Sequence, residues 1–179
     1  MRPKAKPVAV DILIEAPAWL RALPEAERVV ERAARATFAI ATLPDDGAWE
    51  CAVLLADDSR LQELNRRFRG QDKPTNVLSF PADPREPDYA NEVQMEPAED
   101  QPLPYGDVAI AYGTTAAEAA EQGKTLADHL SHLVVHGLLH LIGHDHETAA
   151  EAERMEALER QILWEIGIAD PYEPPEERT

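Results

Sequence analysis

The stretch from Thr125 to Ile142, "TLADHLSHLVVHGLLHLI", leaves the chain few choices of fold. Leu130, Leu133, Val134, Val135, Leu138, Leu139, Leu141 and Ile142 fall on nearly every side of a helix, and nothing charged occurs from His129 through His144. A helix that is apolar all round must be buried. The rest of the chain therefore has to supply cover on more than one side of it. Yet the same stretch, continued to His146, carries all six histidines of the protein. A buried imidazole needs partners for its ring nitrogens. What those partners are is the question the sequence poses.

The cover is legible in outline. "VAVDILIE" (8–15) alternates Val8, Val10, Ile12 and Ile14 with Ala9, Asp11 and Leu13, the period of a half-buried strand. A helix is predicted from Glu25 to Ala41, with Pro24 in its first turn, then a turn at "DDG" (45–47) and a second strand at "WECAVLLA" (49–56). "DDSRLQELNRRFRG" (57–70) reads as a helix capped by Asp57 or Asp58, buried along Leu61, Leu64 and Phe68, and ended by Gly70. "TNVLSF" (75–80) and "GDVAIAY" (106–112) are further strands, "TTAAEAAEQ" (114–122) a short helix. Between them, Pro81 to Pro104 holds six prolines among Glu and Asp without periodicity, so 82–104 is expected to be an acidic surface loop. A last helix begins where Thr148 and Glu151 have capping-box spacing and stops at Gly167, leaving 171–179 as a flexible tail. Interleaved strands and helices predict one α+β domain over 1–179: a mixed sheet of about four strands packed by helices, with the histidine-bearing helix at its centre.

Composition narrows the function. A length of 179 residues with 44% apolar and 28% charged side chains is that of a single globular domain. Cys51, the one cysteine, excludes an internal disulfide and reads as a small buried hydrophobe. Asp11 and Glu15 interrupt any signal-peptide core, and no run is apolar enough to span a bilayer, so a cytoplasmic protein without a membrane partner is expected. The net charge of −17 repels nucleic acid on average. One segment departs from that average: Arg60, Arg66, Arg67, Arg69 and Lys73 lie within 60–73 against Glu63 and Asp72 alone.

On a helix, His129, His132, His136 and His140 fall within roughly 80° of arc, a single stripe. The tightest group is His136-x3-His140-x5-His146. Residues i and i+4 project together from one turn, and Gly143 lets the chain fold back to bring His146 to a third position. Three neutral imidazoles suit one zinc ion or a similar borderline metal, with a coordination position left open. A closed structural site would want a fourth ligand, usually Cys, and Cys51 is the only one available. His129 and His132 read as hydrogen-bonded core histidines and His144 as exposed or supporting. Asp145 either begins the next turn or orients an imidazole.

The pattern H-x-x-x-H-x-x-G-x-x-H is that of the metzincin proteases, which makes a metallopeptidase the first alternative. Those enzymes carry a glutamate base after the first histidine, and here that residue is Gly137. A phosphodiester makes different demands. It needs a cation and a forked donor for its phosphoryl oxygens, and Arg69, between Phe68 and the Gly70 cap, is predicted to point away from the solvated surface of Arg60, Arg66 and Arg67. Lys73 is a weaker candidate for the same task.

Taken together, "LNRRFRGQDKPTNVLSFP", "GDVAIA" and "HLVVHGLLHLIGHDH", with an echo at "RMEALERQIL", resemble the YbeY-type family of bacterial endoribonucleases over about residues 50 to 170. The resemblance implies an α+β fold and a zinc ion on His136, His140 and His146. It implies metal-dependent cleavage of single-stranded RNA in small-subunit rRNA processing and ribosome quality control, with Arg69 as the functional arginine. Arg69 and His136 are then the expected catalytic pair, and rRNA, the small ribosomal subunit or ribosome-associated proteins the expected partners. A third possibility is a ribosome-assembly factor whose zinc is structural and whose binding is its function.

Overall fold

The computed structural model describes residues 8–43, 49–82 and 103–173. The alternating run at the start forms β1 (Val8–Ile14), whose Val8, Val10, Ile12 and Ile14 pack on the core while Leu13 stays 62% exposed on the other face. A six-residue helix, α1 (Pro17–Ala22), follows; it is too short to leave a periodic signal in the sequence. Its Trp19 is fully buried, and the indole N–H donates to the Ala56 carbonyl at 2.9 Å. Helix α2 (Ala26–Ile40) is capped at Glu25, so Pro24 precedes the helix instead of opening its first turn. The expected turn at 45–47 lies outside the described residues.

Strand β2 (Trp49–Ala56) runs parallel to β1. Helix α3 (Asp58–Arg69) starts at Asp57, whose carboxylate accepts the Arg60 N–H at 2.8 Å, and ends at Gly70 with φ 66°. Its buried face is Leu61, Leu64 and Asn65. Phe68 does not belong to it: the ring is 56% exposed, edge-on to Phe80 with Arg67 over its face. Asn65 takes the inner position because its amide donates to the Lys73 carbonyl at 3.0 Å, fixing the turn beyond the helix.

Strands β3 (Val77–Pro81) and β4 (Leu103–Ala111) are antiparallel neighbours, and β4 is parallel to β2. The sheet order is β1-β2-β4-β3, a mixed four-stranded sheet in an α+β fold. Strand β4 starts at Leu103, three residues before the predicted strand, so Leu103 and Pro104 leave the expected loop. The loop's remaining interior, 83–102, lies outside the described residues. At Gly106, φ is 131° and a Cβ would meet the Phe80 carbonyl oxygen at 2.1 Å, so the strands approach there as only glycine allows.

Helices α4 (Tyr112–Glu121), α5 (Leu126–Leu141) and α6 (Ala149–Glu165) complete the chain. The N-terminal turn of α4 has no cap of its own, and Asp58 supplies one from α3 by accepting the Thr114 N–H at 2.9 Å. Thr148 and Glu151 form both hydrogen bonds of the capping box on α6. Helix α5 packs on the sheet and against α2, α4 and α6, so the predicted all-round burial of its apolar residues is met. Helix α3 covers the opposite face through Leu61 and Leu64 against Leu78, Ala109 and Ala111. Among the described residues no helix is long and apolar enough to cross a membrane.

Residues 171–173 are not the start of a free tail. The Pro171 carbonyl accepts from Lys124 Nζ at 2.9 Å, and the Tyr172 ring sits against His132 with Arg160 over it. Residues 174–179 lie outside the described set.

Candidate active site

His136 and His140 leave α5 one turn apart, and their Nε2 atoms lie 3.2 Å from each other. The helix then closes in a Schellman motif: His144 N–H donates to Leu139 O (3.0 Å) and Gly143 N–H to His140 O (3.1 Å). Gly143 has φ 102°, the conformation predicted for the bend. His146 returns to within 5.0 Å of the His140 ring and 5.9 Å of His136. One ligand atom from each of the three lies within 4.8 Å of the others, a spacing that can hold a metal ion. Burial, and after it His136 and His146, push His140 below the ordinary histidine pKa, which disfavours the protonated ring.

Arg69 opens onto the same place. It lines a cleft of about 580 Å³ together with Asn76, Ser79, His136, His140 and His146, and its Nη2 donates to the Ser79 carbonyl at 2.6 Å. Arg66, Arg67 and Lys73 are not among the cleft's lining residues. Asp145 accepts the His146 backbone N–H at 2.7 Å, so of its two readings the turn-shaping one matches the contact it makes. His144 lines the cleft and is half-buried.

The remaining histidines have carboxylate neighbours. His129 Nε2 is 2.7 Å from Glu118, whose other contacts include the Asn76 amide. His132 Nε2 is 3.5 Å from Glu159. Sequence reading missed Glu159, which is fully buried. It sits on the apolar stripe of α6 with Met155, Ile162 and Leu163, so a carboxylate at a core position was the available signal. Its Oε1 is 2.5 Å from His136 Nδ1, and Oε2 accepts from the Tyr172 hydroxyl. Burial alone would raise its pKa, but hydrogen bonds from His132, His136 and Tyr172 outweigh that and hold it down at about 2.

Gly137 faces the sheet. A Cβ there would lie 2.7 Å from Val108 Cγ1 and 3.3 Å from Ser79 Oγ, while Ser79 Oγ donates to the Gly137 carbonyl at 2.9 Å. The glutamate base of a metzincin has neither the space nor the direction here. Cys51 is buried on β2, and burial, then Asp107, Asp11 and Glu50, push its thiol up to about 12, so it is unreactive.

The mixed α+β domain thus sets a three-histidine group that could hold a metal ion and an arginine on one cleft. The family profile described as Endoribonuclease YbeY matches residues 20–167, and the chain belongs to that family. It is 52% identical to an Endoribonuclease YbeY from Nitrobacter winogradskyi, over 98% of this chain and 87% of that one. A second, from Rhodopseudomonas palustris strain BisB18, is 51% identical over 93% of each chain. A third, from Paramagnetospirillum magneticum, is 50% identical over 92% of this chain and 94% of that one. A solution structure of a Thermotoga maritima protein is 28% identical over 92% of this chain and 99% of that one, with a TM-score of 0.45.

Proposed function

We propose that the protein is a zinc-dependent endoribonuclease that cleaves single-stranded RNA during small-subunit rRNA maturation and ribosome quality control in the cytoplasm. The observation that carries this reading is the meeting of His136, His140 and His146 with Arg69 on one cleft. The name of the related proteins supports the RNA substrate. The three imidazoles would hold one ion, which supplies a Lewis acid for the phosphoryl oxygens and lowers the pKa of a bound water. Arg69, fixed through Nη2 to Ser79, keeps its other N–H groups for a phosphate. A strongly acidic chain gains little general affinity for RNA, so the small subunit or ribosome-associated proteins would present the substrate.

Two rivals are weaker on specific grounds. A metallopeptidase lacks its base, and the close packing at Gly137 leaves no room for one. A purely structural zinc would be enclosed, whereas His146 is exposed and the cleft is open to solvent.

Metal analysis of purified protein beside an RNA cleavage assay, with and without chelator, tests the reading. Retained metal without chelator-sensitive cleavage would leave only the assembly-factor alternative. The nucleophile is water or the substrate's 2′-hydroxyl, and a 2′,3′-cyclic phosphate on the product identifies the second. For Arg69→Ala, zinc content should stay intact while single-turnover cleavage at saturating RNA falls about 10²-fold, the scale of losing one oxyanion donor. Arg69→Lys should restore only part of it, because a point charge lacks the guanidinium fork. An unchanged rate in Arg69→Ala would reduce the residue to surface electrostatics.

A further inference from the structure

The two ring nitrogens of His136 face different neighbours. Nε2 lies 3.2 Å from His140 Nε2 in the triplet, and Nδ1 lies 2.5 Å from Glu159 Oε1, behind it. Glu159 comes from α6, is 0% exposed, and has its other oxygen engaged by the Tyr172 hydroxyl. A carboxylate buried this completely in a core stripe is costly unless every oxygen is paired. Here the pairing groups are imidazoles and a phenol, and the most intimate is a ring whose opposite nitrogen points into the cleft.

We infer that Glu159 is a positioning residue for His136. By accepting a hydrogen bond from Nδ1–H, it fixes the tautomer in which Nε2 is bare and turned toward His140 and His146. Tyr172 holds the carboxylate in turn, so the segment after α6 reaches the cleft through two hydrogen bonds. A carboxylate behind a ligating imidazole sets ring orientation and raises its basicity. The inference rests on reading the triplet as a metal centre.

His132, His136 and Glu159 are also close enough to be considered a second metal group. The geometry disfavours it. Two donors each about 2 Å from a tetrahedral ion sit about 3.3 Å apart, whereas Nδ1 and Oε1 are at 2.5 Å, a charge-assisted hydrogen bond.

Three measurements on the full chain test the assignment. Zinc affinity, measured by competition with a chromophoric chelator, should weaken 10- to 100-fold in Glu159→Gln and by a few-fold in Tyr172→Phe. Two-bond nitrogen–proton correlation spectra of the metal-free protein should place the His136 proton on Nδ1, and in Glu159→Gln should show the tautomers mixed. Zinc stoichiometry should remain one per chain in wild type. Unchanged affinity in Glu159→Gln overturns the inference, as does a wild-type His136 protonated on Nε2. A second zinc equivalent that disappears with Glu159→Gln overturns it in favour of the second metal group. Should Glu159→Gln fail to fold, the wild-type tautomer and the Tyr172→Phe affinity still decide. If wild type binds no zinc at all, the metal reading fails, and the tautomer measurement alone judges the link between Glu159 and His136.

Discussion

Along α5, His129 near one end and His140 near the other lie on the same stripe but in different company. Both are pushed below the usual histidine pKa, burial being the largest cause in each case. The difference is what faces the ring. His129 Nε2 meets the Glu118 carboxylate at 2.7 Å and is itself 3% exposed. His140 Nε2 meets another imidazole at 3.2 Å, with a third ring 5.0 Å away and an open cleft in front. At His129 the carboxylate pairs Nε2 alone, and Nδ1 is buried without a hydrogen-bond partner among the described residues. One neutral imidazole can donate to another, but three rings on one cleft leave lone pairs over, and one nitrogen from each lies within 4.8 Å of the others. Burial therefore says little about a histidine's role, and the identity of its neighbour says much.

The largest expected effect breaks the contrast at its open end. His140→Ala should lose stoichiometric zinc and reduce RNA cleavage to background, read by elemental analysis and a cleavage assay on the same preparation. A full equivalent of zinc in that variant would mean the wrong three histidines have been chosen. Between the two ends, Gly137→Ala should destabilise the fold by about 1–3 kcal/mol through overpacking against Val108. Chemical denaturation measures this, and a neutral result would mean that α5 can slide away from the sheet. At the closed end, His129→Ala should cost about 1–3 kcal/mol, as for a buried polar group losing its partner. It should keep all its zinc, since Glu118 retains the Asn76 amide and the triplet is untouched. Zinc loss in His129→Ala would erase the distinction between the ends.

The smallest effect is a slope with pH. His129 and His140 have folded pKa values below the ordinary 6.5, so below that pH the unfolded chain binds more protons than the folded one. Stability of the chelated protein should fall as pH drops through 6.5 toward the lower folded values, and stay flat with respect to these two groups above that range. Melting curves in chelator at pH 8 and pH 5.5 check the sign. Glu159 acts in a separate window, with stability present above 4.5 and lost as pH falls toward 2.

What was readable in the sequence was local. The helix of 126–141, its i, i+4 pair and the glycine bend before His146 follow from periodicity and torsion over a few residues. Four strands and the capping box were visible for the same reason. Phe68 was misplaced because helical spacing says which residues share a face but not where the covering sheet ends. Glu159 and Tyr172 escaped because their partners lie 23 and 13 residues away in the chain, joined by packing that no spacing encodes. Arg69 does line the cleft, but not because a buried Phe68 turns it there, since Phe68 is exposed; its hold on Ser79 required knowing that β3 lies alongside.

That hold has a consequence for handling the protein. Strand β3 is an outer strand of the sheet, and an outer strand offers backbone groups to any extended chain that comes near. Three features blunt it: β3 spans five residues, it ends in Pro81, and the Ser79 carbonyl is occupied by Arg69. The arginine therefore guards against edge-to-edge aggregation as well as facing the cleft. An inactive Arg69→Ala preparation has to be monodisperse by light scattering before its inactivity is assigned to chemistry.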